Sequence, residues 1–220
     1  MMYPSLETHH GVGLVFVDGT SGKVLMPPTI PEDIQSDKNE AVFSINEEIP
    51  FDDSVVLDTA QALIAGSVGK SKWGMIGGKV DRHADGQLEA LPKALAREWC
   101  EEISELLGMG QFQSLSAEGQ ANILSFITRV CEKIEQTDPQ VFTPLSDLRV
   151  VQWREVLQED GTLTRDFRGM LTVTILSLVL DENSQEQAFL KQLGFAEIEA
   201  DSLDSLRPYA QVVIRQLGLL

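Results

Sequence analysis

Hydrophobic residues occupy almost every position from Gly11 to Val17, a segment rich in β-branched side chains. Because neither alternating set of positions is polar, this segment is predicted to form a central strand that is covered on both faces. Turn-forming residues follow from Asp18 to Gly22. Residues Lys23 to Met26 are predicted to return as its hairpin partner, which ends at Pro27 and Pro28.

Further periodic segments predict a mixture of strands and helices, so the predicted fold class is α/β. The further strands are predicted at Ala41–Ile45, Trp73–Val80, Val150–Leu157 and Arg168–Leu180. The helices are predicted at Ser54–Ala65, Pro92–Leu107, Ala117–Gln136, Ser184–Gly194 and Leu206–Leu217. The Asp160-Gly161 pair between the last two strands predicts an antiparallel hairpin.

The predicted helix at 117–136 carries an apolar stripe that is expected to face the core. Its members are Ile123, Leu124, Ile127, Val130, Cys131 and Ile134.

Composition limits the class of protein. The chain has 220 residues, of which 43% are hydrophobic and 23% charged, values typical of one folded domain rather than of a disordered chain. The formal net charge of −17 argues against a broad binding surface for DNA or RNA. This acidity is otherwise interpreted as an aid to solubility, and by itself it defines no site.

Cysteine content and apolar segments indicate a reduced, soluble, cytoplasmic protein. Cys100 and Cys131 lack CxxC spacing, so neither a zinc knuckle nor a redox pair is expected. The N-terminal residues do not resemble a secretory signal, and the longest apolar stretch, Met170 to Leu180, is too short to cross a membrane.

Four glutamates share one face of the predicted helix that follows Pro92. Glu98, Glu101, Glu102 and Glu105 follow the i, i+3, i+4, i+7 spacing, next to an apolar stripe that would anchor the helix. Clustered carboxylates suit Mg²⁺, which prefers oxygen ligands. Taken alone, however, such a face is more often a solvated surface.

The order of residues around this face is more specific. Glu89, seven further residues and then Arg97-Glu98-Trp99-Cys100-Glu101-Glu102 resemble the second half of the Nudix box. That family pattern is Gly-x5-Glu-x7-Arg-Glu-U-x-Glu-Glu-x-Gly-U, where U is a bulky apolar residue. The segment Trp73–Val80, with the pair Gly77-Gly78, resembles the strand and double glycine that precede the box.

Two positions depart from the family pattern. Gly78 and Glu89 are separated by ten residues rather than five, which implies a longer loop. Ser104 and Glu105 replace the closing glycine and apolar residue, so the helix is expected to continue to Gly108. The resemblance covers residues 11–108 and the later strands.

The resemblance implies an enzyme and assigns roles to its residues. It implies a Nudix-type α/β/α sandwich with a mixed sheet, and a hydrolase that cleaves a phosphoanhydride bond in a nucleoside diphosphate derivative. Glu98, Glu101 and Glu102, with a backbone carbonyl near Gly78, would bind Mg²⁺ or Mn²⁺, and Arg97 would orient the glutamates.

Other roles stay open at this point. Glu98, Glu89 or an acidic residue from another loop could act as general base, and Glu89 could instead pair with Arg97. Lys79 and Arg82 could contact substrate phosphate or simply be solvated. A Nudix-like module that binds a nucleotide or a protein without hydrolysis is the alternative function.

The resemblance also suggests one domain over residues 1–220. Elaborations at 28–71, 111–140 and 184–220 could line the pocket or form a homodimer. Neither a membrane nor a nucleic acid is an expected partner.

Overall fold

The computed structural model describes residues 7–29, 40–44, 73–108, 110–145, 148–157, 163–181 and 185–219. The strands are β1 (Glu7–Asp18), β2 (Val24–Met26), β3 (Glu40–Ser44), β4 (Ile76–Val80), β5 (Thr143–Leu145), β6 (Leu148–Leu157), β7 (Leu163–Leu180) and β8 (Ala196–Ile198). The helices are α1 (Leu91–Gly108), α2 (Gly110–Gln113), α3 (Ala117–Glu135), α4 (Gln185–Gln192) and α5 (Pro208–Gln216). Short 3₁₀ helices lie at Pro139–Val141 and Ala200–Ser205.

The described strands form one eight-stranded mixed sheet. Its main order is β3-β6-β7-β1-β2-β8, with β5 paired to β7 and β4 paired to β1. The pair β1 and β7 is parallel, and the other pairs are antiparallel. Because β7 follows one edge of β1 along its whole length, β2 and β4 share the other edge. The predicted α/β class and the central position of β1 are therefore confirmed.

Two apolar clusters cover the two faces of the sheet, which explains why β1 has no polar alternation. Val12, Leu14 and Phe16 join a cluster with side chains from α1, α3 and α4. Val15 and Val17 join a second cluster with side chains from α5. Both sets of alternating side chains are removed from water, so both must be apolar.

Helix α1 begins and ends as the sequence predicts. Pro92 lies in its first turn, where a missing N–H costs nothing, and the helix continues to Gly108 rather than ending earlier. Its apolar stripe is buried to 4% exposure or less, with Leu95, Trp99, Ile103 and Leu106 as members. This stripe fixes the acidic face of the helix at the edge of the core.

The apolar stripe of α3 differs from the predicted one at Leu124. Ile123, Val130 and Ile134 are buried as expected, but Leu124 is 48% exposed and Phe126 is fully buried. The side of α3 that packs on α1 is centred between Ile123 and Phe126, so Leu124 points away from it. The prediction for Leu124 was wrong, and Phe126 was missed.

The other predicted elements fall partly inside and partly outside the described residues. The hairpin of β1 with β2 and the antiparallel pair of β6 with β7 are confirmed. The predicted helix at Ser54–Ala65, the turn at 158–162 and the capping residue Ser184 lie outside the described residues. Among the described residues, no helix combines the length and apolarity needed to cross a bilayer.

Candidate functional site

The first part of the candidate site is the glycine pair in β4. Gly77 has a φ of 154°, and a Cβ on it would overlap the Val12 carbonyl oxygen and lie 2.7 Å from the Gly13 Cα atom. Only glycine therefore fits at position 77, where the backbone of β4 lies close to that of β1. This close approach sets the position of the neighbouring Gly78.

Both glycines contact glutamates of α1. The Gly77 backbone N–H donates a hydrogen bond of 2.8 Å to the Glu102 Oε1 atom. A Cβ on Gly78 would overlap the Glu98 carboxylate, so the absence of a side chain there lets Glu98 lie against the strand. Two of the three predicted metal-binding glutamates are therefore held directly at the double glycine.

Arg97 joins the start of α1 to the segment that follows β4. Its Nη1 atom donates to Glu98 Oε1 over 2.5 Å. Its Nη2 atom donates to the Lys79 carbonyl oxygen over 2.8 Å and to Glu89 Oε2 over 3.2 Å. The planar guanidinium suits this branched set of acceptors. Arg97 therefore contacts two of the predicted carboxylates, Glu98 and Glu89.

Two further carboxylates lie near the Arg97 guanidinium. Asp81 Oδ2 and Glu101 Oε2 are each 3.6 Å from one of its terminal nitrogens. Burial opposes the charge on Arg97, but the hydrogen bonds and charges of its acidic partners outweigh burial and raise the pKa of its guanidinium. Its Nε atom is buried and has no acceptor among the described residues.

Glu98 lies in a partly buried and acidic environment. Its side chain is 13% exposed, and its pKa is raised above the ordinary value, first by burial and then by the charges of Glu101 and Asp81. Arg97 acts in the opposite direction without cancelling these effects. Four carboxylates lie within 3.6 Å of the single Arg97 guanidinium, an excess of negative charge that a bound cation would relieve.

The predicted metal ligands lie in the middle of α1, but they do not converge on one point. Within the described residues, no three histidine, cysteine or acidic side chains are arranged to hold a metal ion. Glu98 contacts Arg97, Glu102 contacts Gly77, and Glu101 is 59% exposed.

The ten residues between Gly78 and Glu89 form a closed hairpin. The His83 N–H donates to the Gln87 carbonyl over 2.8 Å, and the Glu89 N–H donates to the Asp81 carbonyl over 2.8 Å. Arg82 and Leu88 face each other across the hairpin as an antiparallel bridge. The two ends of the segment therefore meet, and Glu89 reaches Arg97 despite the added length.

The two predicted phosphate-binding residues lie on the segment that follows Gly78. The Lys79 side chain is exposed one residue after Gly78. Arg82 is also exposed, but its Nη1 atom donates to the Gly86 carbonyl over 2.7 Å and closes the tip of the hairpin. Lys79 pairs with Gly11 of β1, on the sheet face opposite to that of Gly78 and α1, so its side chain points away from the glutamates.

Asp81 belongs to the site although sequence reasoning assigned it no role. Its carboxylate lies near Arg97, and its carbonyl accepts the Glu89 N–H. The available signal was its position directly after β4, where a strand leaves the sheet next to the double glycine.

The chain matches no protein-family model, and a search of curated proteins finds no significant similarity. The function is therefore inferred from the residues of the site and from their geometry.

Proposed function

We propose that the protein is a Mg²⁺-dependent hydrolase of the Nudix type, which cleaves a phosphoanhydride bond in a nucleoside diphosphate derivative. The observation that carries this proposal is the contact between the double glycine and the glutamates of α1. Gly77 donates to Glu102, and Gly78 leaves room for Glu98. A solvated acidic surface needs no such contacts with a neighbouring strand.

The donor set fits a hard divalent cation. Glu98, Glu101 and Glu102 would hold Mg²⁺ or Mn²⁺, with the Gly78 carbonyl as a further oxygen ligand. The bound cation would supply an activated water and neutralise charge on the phosphate oxygens. Burial and neighbouring charges already raise the pKa of Glu98, so a cation there would offset electrostatic repulsion within the site.

The other residues of the site would orient the carboxylates and neutralise charge. Arg97 fixes the Glu98 carboxylate and keeps Glu89, which is 8% exposed, at the edge of the site. Glu98 and Glu89 are both candidates for the general base. Lys79 and Arg82 stay the candidates for a phosphate contact, although Lys79 leaves β4 on the opposite sheet face and Arg82 is bonded to the tip of the hairpin.

The hairpin supports the proposed family in spite of the altered spacing. Because the Glu89 N–H binds the Asp81 carbonyl, the segment from Arg82 to Leu88 branches away from the path between β4 and α1. Glu89 therefore keeps its contact with Arg97. The helices on both faces of the mixed sheet are also compatible with a Nudix-type α/β/α sandwich.

The alternative is a Nudix-like module that binds a nucleotide or a protein partner without hydrolysis. One observation favours it, namely that Glu98 and Glu102 already have protein partners and that the described residues contain no converged metal group. A binding module could use such internal contacts simply to stabilise its fold.

A screen of nucleotide derivatives with Mg²⁺ or Mn²⁺ separates the two functions. The panel includes nucleoside triphosphates, nucleotide sugars, ADP-ribose and dinucleoside polyphosphates, with release of phosphate or nucleoside monophosphate as the readout. Replacing a metal ligand, as in Glu102→Gln, is expected to lower turnover by about 100-fold or more. Glu105→Gln is the matched control, because it removes the same charge one turn away on the same helix face.

Activity that survives Glu102→Gln would exclude the proposed site. Tight binding of a nucleotide without metal-dependent turnover would support the binding module instead.

A further inference from the structure

The two cysteines of the chain lie side by side although they are far apart in sequence. Cys100 is exposed on α1, and Cys131 is half-buried on α3. Both are thiols, and their Sγ atoms are 3.5 Å apart. The lack of CxxC spacing argued against a redox pair, but the packing of two helices supplies the proximity that the spacing does not.

Next to these thiols, the contacts of Trp99 hold α1 and α3 in a fixed position relative to each other. Trp99 is fully buried, and its Nε1 atom donates to the Ile127 carbonyl over 3.1 Å. The Trp99 ring also packs edge-on against Phe126 at 6.4 Å between ring centroids. Cys100 directly follows Trp99, and Cys131 lies one turn beyond Ile127. The same buried contact that joins the helices therefore fixes the distance between the sulfurs.

We propose that Cys100 and Cys131 form a reversible disulfide that joins α1 to α3, with a low-molecular-weight disulfide such as glutathione disulfide as the oxidant. Closure requires the sulfurs to approach from 3.5 Å to about 2.05 Å. This proposal is independent of the hydrolase function.

The reaction is thiol–disulfide exchange in two steps. Cys100, the more exposed thiol, loses its proton and attacks one sulfur of glutathione disulfide, which releases the first glutathione as a thiol and leaves a mixed disulfide. Cys131 then loses its proton and attacks the Cys100 sulfur, which releases the second glutathione. The two protein thiols are oxidised by two electrons, and glutathione disulfide is reduced to two glutathione molecules.

The surroundings of Cys131 are consistent with this order. Burial raises the pKa of the Cys131 thiol to about 12, with further contributions from Cys100, Glu135 and Glu132. Cys131 is therefore the poorer nucleophile of the pair at neutral pH, so attack on the oxidant begins at Cys100. The disulfide would close the chain from residue 100 to residue 131, which includes α2 and most of α3.

The test uses the full chain, first reduced with dithiothreitol and then incubated with glutathione disulfide. After alkylation of remaining thiols, the oxidised protein is expected to have lost about 2 Da and to contain no alkylated cysteine. Peptide mapping should show a Cys100–Cys131 crosslink that dithiothreitol reverses. Closing this loop should raise Tm by about 5–10 °C.

The single variants identify the role of each sulfur. Cys131→Ser is expected to accumulate a stable glutathione adduct on Cys100, whereas the wild type passes through that adduct only transiently. Cys100→Ser should gain neither the crosslink nor the rise in Tm. A persistent glutathione adduct in the wild type, a crosslink between two molecules, or a crosslink that leaves Tm unchanged or lowered would overturn the proposal.

Discussion

Gly77 donates its backbone N–H to the Glu102 Oε1 atom over 2.8 Å, so β4 and α1 are joined at the middle of the candidate site. The strand is in turn held against β1 at a point where a side chain does not fit. The position of the β4 backbone is therefore linked to the position of the Glu102 carboxylate. Substitution of Gly77 should mainly lower the stability of the fold, whereas substitution of Gly78 should mainly impair the site.

Gly77→Ala is expected to destabilise the fold. The added Cβ would overlap the Val12 carbonyl and strain a backbone with φ of 154°, so the free energy of unfolding should fall by about 2–3 kcal/mol. Urea denaturation measures this change. Gly86→Ala is the control, because its φ is also positive but a Cβ would meet nothing within 4 Å. Equal losses for the two variants would contradict the proposed close contact.

Gly78→Ala is expected to impair the site and to spare the fold. The new Cβ would overlap the end of the flexible Glu98 side chain, and the backbone of Gly78 is not in the left-handed region. Stability should fall by less than about 1 kcal/mol, whereas metal-dependent turnover should fall by about 10-fold to 100-fold as Glu98 is displaced. Gly108→Ala, with open space around its Cβ, should leave turnover unchanged.

The pair of Arg97 and Glu89 should couple strongly. Arg97→Lys loses the branched hydrogen bonds and leaves Glu89 poorly paired, at a cost of about 2–3 kcal/mol in the free energy of unfolding. A double-mutant cycle with Glu89→Gln should give a coupling energy of about 1–2 kcal/mol. The exposed Arg129→Lys is the control. Additive effects of the two substitutions would show that the contact is energetically unimportant.

Asp18 should make the fold sensitive to acid. The Ser21 hydroxyl and then the Thr20 N–H donate to its carboxylate and lower the pKa of Asp18 from 3.8 to about 2. The folded state therefore favours the charged form. This stability is complete above the unfolded pKa and is lost as the pH falls through the folded pKa.

Comparison of Asp18→Asn with the wild type by denaturant titration at several pH values checks this effect. The wild type should be the more stable protein near pH 7, and its advantage should shrink between about pH 4 and pH 2. Ser21→Ala should move the pKa of Asp18 towards its ordinary value, which NMR titration of the carboxyl group can follow. A difference in stability that is independent of pH would contradict the assignment.

Phe126 should contribute more to stability than Leu124. Phe126 is fully buried between Trp99 and Phe189, so Phe126→Ala should cost about 3–5 kcal/mol by leaving a cavity. Leu124 is 48% exposed, and Leu124→Ala should change stability by about 0.5 kcal/mol or less. Thermal and urea unfolding of the two variants measure the difference. A similar cost for both would mean that α3 packs with a different face.

Local patterns predicted the elements better than they predicted how the elements meet. The continuous apolar run in β1 indicated a strand buried on both faces, and Pro92 and Gly108 marked the limits of α1. In α3, however, apolar residues occur on more than one side of the helix. The pattern alone could not choose between Leu124 and Phe126, because that choice depends on the angle at which α3 packs on α1.

The candidate site shows the same limit. The spacing of Glu98, Glu101 and Glu102 placed them on one helix face, but it could not show that Glu102 bonds to Gly77. The proximity of Cys100 and Cys131 was also hidden, because it arises from the register of two helices. No local sequence rule encodes that register.

The hydrogen bond between the Glu89 N–H and the Asp81 carbonyl makes the hairpin a side branch of the chain. Residues added or removed at its tip, near Asp85 and Gly86, need not stretch the connection from β4 to α1. Evolution can therefore alter the length of this segment without moving the glutamates. A short foreign peptide grafted at the tip would be displayed beside the site on a scaffold that keeps its own register.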